Sequence, residues 1–155
     1  MYYPSSPVVE LRKLMPQATF TFDNGFDHNN AVRLARASEV VIVVATQWAG
    51  EAFDVSLHLD GQQDQLIAAV SSANPKTIVV LETGGPVLMP WSAQVAAILE
   101  AWYPGTEGGA ALANILSGKI NPSGRLPVTF PQNLEQLPHP NAPTTGDVRY
   151  TEGAT

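Results

Sequence analysis

Two short stretches of the chain are dominated by β-branched and apolar residues: residues 40–45 read VVIVVA, apolar without a break, and residues 77–81 read TIVVL. Each is short for a helix, rich in β-branched residues and apolar on both faces, the pattern of a strand buried in a parallel sheet. Between them, residues 62–73 place Leu66, Ile67, Ala69 and Val70 on one inward face, which predicts a helix ended by Asn74-Pro75. Upstream, residues 8–15 carry Val8, Leu11, Leu14 and Met15 at helical spacing behind Pro7, which suits a first helical turn. Residues 28–37 predict another helix, capped by Asp27, with Ala31, Leu34, Ala35 and Ala37 on its packed side. Residues 19–22 alternate β-branched and aromatic side chains and predict a short strand before the Asn24-Gly25 turn. By periodicity alone, residues 95–102 suit strand or helix; their place in the alternation of elements makes them a strand. Residues 107–116 form a small-residue helix closed by Gly118.

This alternation predicts an α/β domain with a mostly parallel sheet, helices on both faces in a three-layer αβα sandwich, and right-handed crossovers. It spans residues 1–121. Beyond it, Pro122, Pro127, Pro131, Pro138, Pro140 and Pro143 exclude long helices, so residues 122–155 are expected to be an irregular, Pro-rich tail with room for one edge strand near residues 126–130.

Composition narrows the function classes. The 155 residues suit one domain, and an apolar share of 45% suits an ordinary core. Eight Lys and Arg against fourteen Asp and Glu give a formal charge of -6, and no basic cluster follows a phosphate backbone, so a nucleic-acid partner is disfavoured. There is no cysteine for a disulfide or thiolate site, and His28, His58 and His139 are too scattered to read as metal ligands. Neither a signal peptide in residues 1–4 nor an apolar run of membrane-spanning length is visible, so no membrane partner is expected.

In an open parallel sheet, ligands bind beyond the carboxyl ends of the strands. Three loops leave those ends, at residues 47–54, 82–90 and 104–109. They carry Glu51 and Asp54, Glu82, and Glu107, with Trp48, Phe53, Trp91, Trp102 and Tyr103 in or beside them. Rings stack on the apolar face of a sugar and carboxylates accept from its hydroxyls, so Trp48, Phe53 and Asp54 are candidate substrate contacts. Each candidate also has a structural reading. Glu107 would meet a helix dipole, Glu82 would bond loop amides, Asp54 would shape a turn, and Trp102 would join the core. Glu51 has no helix to cap and is the hardest to explain structurally. The glycines at 84–85 and 105–109 match neither dinucleotide nor P-loop spacing, and Glu107 would repel a phosphate. No G-x-S-x-G elbow is present either.

Several segments, taken in order, resemble one family. They are residues 46–54 (TQWAGEAFD), 57–67 (LHLDGQQDQLI), 73–77 (ANPKT), 85–91 (GPVLMPW), 101–105 (AWYPG), 107–109 (EGG) and, most specifically, 121–127 (NPSGRLP) with 129–131 (TFP). Together they look like the second, α/β-sandwich domain of glycoside hydrolase family 3, over about residues 8–152. The resemblance implies a retaining β-glucosidase, acting on terminal β-D-glucosyl residues of a β-glucoside or oligosaccharide, with no cofactor and no metal. Glu51 then takes the place of the general acid/base. The nucleophilic Asp would lie on an N-terminal (β/α)8 barrel of the same enzyme, for which these 155 residues have no room. The family's usual first strand is expected upstream and a β-rich domain downstream, and without the barrel that bears the nucleophile the isolated chain is expected to be nearly inactive. A periplasmic or secreted location is suggested by the resemblance alone. The sequence departs from the family pattern at Ala52, where a Gly is usual, and at Val55, where many members carry Arg. The alternative function is a carbohydrate-binding module without catalysis.

Overall fold

The structure, a computed structural model, describes residues 5–53 and 55–137. Helix α1 (Pro7–Leu14) and helix α2 (His28–Arg36) precede strand β1 (Val41–Thr46). Helix α3 (Gln63–Ala73), strand β2 (Thr77–Glu82), strand β3 (Ala97–Glu100) and helix α4 (Gly108–Leu116) follow. Short 3-10 turns occupy Ser92–Gln94 and Leu134–Gln136. The strands lie in the order β1-β2-β3, all parallel, with Val41 opposite Thr77 and Ile78 opposite Ala97.

The burial of β2 follows from its sequence. Thr77, Val79, Val80 and Leu81 are fully buried, so side chains on both faces of the middle strand are covered. Ala45, Val79 and Leu81 form one face of the core with Ile67 from α3 and with Leu59, Val87 and Trp91 from the connecting loops. The helices pair as α2 with α3 and α1 with α4. This is the α/β sandwich that the alternation of elements predicts.

The ends of the helices show how the pairs are joined. Pro7 opens α1, and the Gly109 N–H donates to Ser5 Oγ at 2.8 Å. A Cβ at Gly109 would lie 2.6 Å from that oxygen, so only glycine lets α4 begin there. Asp27 caps α2 by accepting from the N–H groups of Asn29 and Asn30. Asn74, at the end of α3, is buried. Its Nδ2 donates to Ala35 O at 2.9 Å and Ser38 O at 2.8 Å, and its Oδ1 accepts from Lys76 N–H at 2.9 Å. One amide thus joins the carboxyl ends of two helices to the start of β2.

Two expected strands are not formed. Residues 19–22 pair with no described segment; instead Arg12 donates to Phe20 O, and Phe22 is exposed. Alternation suits a strand, but a strand needs a ladder partner. Residues 126–130 likewise join no sheet, since Pro127 and Pro131 remove ladder donors. Phe130 packs against the core instead. The tail beyond residue 137 lies outside the described residues. Among the described residues, no helix is long and apolar enough to cross a membrane.

Candidate active site

The loop after β1 is organised from its base. Thr46 ends the strand with its main chain turned away from β2, and the side chain of Gln63 meets it there: Oε1 accepts from Thr46 N–H at 2.8 Å and Nε2 donates to Thr46 O at 2.7 Å. The next residue, Gln47, is only 2% exposed. Its N–H donates to Glu82 O, its Nε2 donates to Ser56 O across the loop, and its own carbonyl accepts from the Tyr103 hydroxyl at 2.7 Å. Trp48 N–H then donates to Asp60 Oδ2 at 2.7 Å. The loop leaves and returns at a pinned base, as compact surface loops do.

Its tip is held by aromatic packing. The Trp48 and Phe53 rings lie 5.7 Å apart at an angle of 58°. Gly50 fits beneath them, where an added Cβ would meet both rings at 3.2 to 3.3 Å. Ala52 has φ 65, the left-handed region that costs an alanine about 1–2 kcal/mol. The glycine usual at this place in the family would avoid that cost.

Between this loop and the ends of β2 and β3 lies an open cleft of about 480 Å³, lined by Ala49, Gly50, Glu51, Thr83, Gly84, Trp102 and Tyr103. Among the described residues, Glu51 is the one carboxylate that lines it. Its side chain is exposed and reaches no hydrogen-bond partner among them. Trp48 and Phe53 are exposed beside the cleft, packed on each other rather than lining it. Asp54 lies outside the described residues. Of the four carboxylates expected near the strand ends, Glu82 and Glu107 do not line the cleft. Glu82 is half-buried, and burial pushes its carboxyl pKa up. Glu107 stands at the cap position of α4, where its side chain makes no cap hydrogen bond. No group of three or more His, Cys, Asp or Glu among the described residues is placed to hold a metal ion.

The far wall combines Trp102 and Tyr103, expected near the strand ends, with residues that the sequence did not single out. Trp102 has φ 53, a conformation rare for a bulky residue, and its N–H donates to Glu100 Oε1 at 2.8 Å. Burial raises the Glu100 pKa, against the lowering effect of hydrogen bonds from Trp102 N–H and from Thr83. The Trp102 ring packs on Phe130, with centroids 6.1 Å apart. Gln47, Asp60, Gln63, Thr83 and Glu100 act here through long-range contacts, which no local pattern announces.

The chain has clear counterparts among known proteins. The chain matches the family described as Glycosyl hydrolase family 3 C-terminal domain over residues 1–155. It is 48% identical over 132 residues to Beta-glucosidase B of Emericella nidulans, covering 81% of this chain and 15% of that protein. A β-glucosidase from Streptomyces venezuelae, DesR, solved in complex with D-glucose, shares 47% identity at a TM-score of 0.67, over 68% of this chain and 14% of that one. A family 3 β-glucosidase from Neurospora crassa superposes with a TM-score of 0.79 at 29% identity, over 97% of this chain and 19% of that one. The chain thus spans about 15% of the length of the first of these relatives. It belongs to glycosyl hydrolase family 3, as a C-terminal domain of that family.

Proposed function

We propose that this domain supplies the acid/base half of a retaining β-glucosidase site, with Glu51 as the proton donor and acceptor. The observation that carries the reading is the position of Glu51, an exposed carboxylate with no hydrogen-bond partner among the described residues, on a pinned loop at the rim of an open cleft beyond the parallel strands. Such a site is half complete. Retaining hydrolysis needs a second carboxylate about 5 Å away to attack the anomeric carbon. A (β/α)8 barrel of the same enzyme closing over the cleft would bring that nucleophilic Asp, and the length of the relatives leaves ample room for one. In the first step the nucleophile takes the sugar while Glu51 protonates the departing oxygen. In the second Glu51 takes a proton from water, which releases the sugar. Trp48, Phe53 and Asp54 would then border the substrate, the two rings offering apolar faces. No step calls for a cofactor.

The test is Glu51→Ala in the whole enzyme. Glycosides with good leaving groups need little protonation, so their first step should survive, and azide should restore turnover by replacing the activated water. Wild-type rates on cellobiose would remove Glu51 from the mechanism. One feature favours a second reading, a carbohydrate-binding module: the Trp48–Phe53 pair is exposed without help from any other domain. Titrating glucose or cellobiose into the 155-residue chain separates the two, since millimolar binding with no hydrolysis in the whole enzyme supports the module.

A further inference from the structure

We propose that Tyr103 is a positioning residue for Glu51, aiming the loop that carries it; the inference rests on the acid/base reading of Glu51. Three observations converge on this hydroxyl. First, it is the direct link between the two walls of the cleft. Tyr103 Oη donates to the Gln47 carbonyl at 2.7 Å, joining the chain after β3 to the chain after β1 across 56 residues of sequence. Second, Gln47 is the hinge on which the loop is mounted. It is buried, it binds Ser56 at the far side of the loop through its side chain, and it lies four positions before Glu51. A shift of the Gln47 carbonyl therefore moves the base on which Glu51 stands. Third, the contact is built with no slack. Gly84 lies between the walls, and a Cβ there would fall 2.5 Å from Ala49 Cβ and 2.9 Å from Tyr103 Oη.

The chain before Tyr103 is shaped for the same purpose. Trp102 holds a left-handed conformation secured by Glu100, and this turn directs Tyr103 back toward the end of β1. Conformations of that kind persist where the surroundings enforce them. Acid catalysis is sensitive to such placement, because the proton must be delivered within hydrogen-bond reach of the departing oxygen.

The experiment is Tyr103→Phe in the whole enzyme, which removes one oxygen and keeps the ring. It compares kcat/KM, a measure of the first step, on a dinitrophenyl β-glucoside and on cellobiose. Loss of aim should lower kcat/KM on cellobiose roughly tenfold and leave the dinitrophenyl substrate nearly unchanged. Gly84→Ala, which presses on the same contact from the other side, should show the same selectivity. Equal losses on both substrates would mean a merely structural role, and no loss on either would mean no role; each result overturns the proposal. Glu51→Ala is measured beside them. If it loses cellobiose hydrolysis while Tyr103→Phe and Gly84→Ala lose none, the positioning inference alone fails. If Glu51→Ala hydrolyses cellobiose at the wild-type rate, the acid/base reading fails and this inference with it.

Discussion

The side-chain amide of Gln63 pairs with the main chain of Thr46 as a neighbouring strand would, accepting from its N–H at 2.8 Å and donating to its carbonyl at 2.7 Å. The same Nε2 also donates to Asp60 O at 2.8 Å, so one side chain ends β1 and fixes the loop that returns to α3. Gln63→Leu removes all three bonds while keeping similar bulk. The groups involved are exposed and regain water, so the expected loss is about 1 kcal/mol. Urea unfolding of the chain should show a lower midpoint at an unchanged slope.

A second prediction concerns Trp91. Its ring is 1% exposed, and its indole N–H donates to Asp64 Oδ1 at 2.8 Å. Asp64→Ala strands this donor in the core and should cost about 1–3 kcal/mol. Asp64→Asn keeps an acceptor oxygen and should cost clearly less. Thermal unfolding of the two variants ranks them, and equal losses would show that the hydrogen bond is not what Asp64 contributes.

The third prediction is a pH dependence. Burial disfavours the ionised form of Glu82, so the folded chain keeps this proton to a higher pH than the unfolded chain does. Below the ordinary carboxylate value of 4.5 the side chain is protonated in both states and costs nothing. As pH rises from there through the raised folded value, stability falls, and it stays lower above that value. Glu82→Gln should therefore unfold at a higher temperature than the parent at neutral pH and at about the same temperature in acid. A variant with the same gain at both extremes would separate Glu82 from this pH slope.

How far the sequence reaches can be judged from particular residues. The strand β2 is legible because burial on both faces leaves an uninterrupted apolar run, and α2 because Asp27 is a recognisable cap; β1 carries the same kind of run, yet it ends the strand order among the described residues, with Ala45 buried and Val44 40% exposed. Strand β3 follows only from its position in the alternation. Residues 19–22 and 126–130 mislead because side-chain pattern describes what a segment could pair with, whereas a strand also needs a partner at hand. At the site, Glu51 is legible because it stands in a loop with no structural task and within a family motif. Gln47 and Gln63 are not, and Tyr103 is legible only as an aromatic beside the loops, because the bonds these residues make form only when distant segments meet. Glu82 and Glu107 are near the strand ends in sequence, yet Glu82 closes β2 half-buried and Glu107 stands at the cap of α4, and neither lines the cleft.

The bonds from Asn74 to Ala35 and Ser38 reach back 39 and 36 residues along the chain. The β1–β2 ladder spans the same separation, Val41 to Thr77, and a side-chain contact of this kind is expected to lock only after the segments it joins have docked. Asn74→Ala should therefore quicken unfolding by about tenfold and leave the refolding rate almost untouched, as expected of a position unformed in the transition state. In kinetic terms, this amide is a latch: it governs how long the native domain lasts, not how fast it is reached.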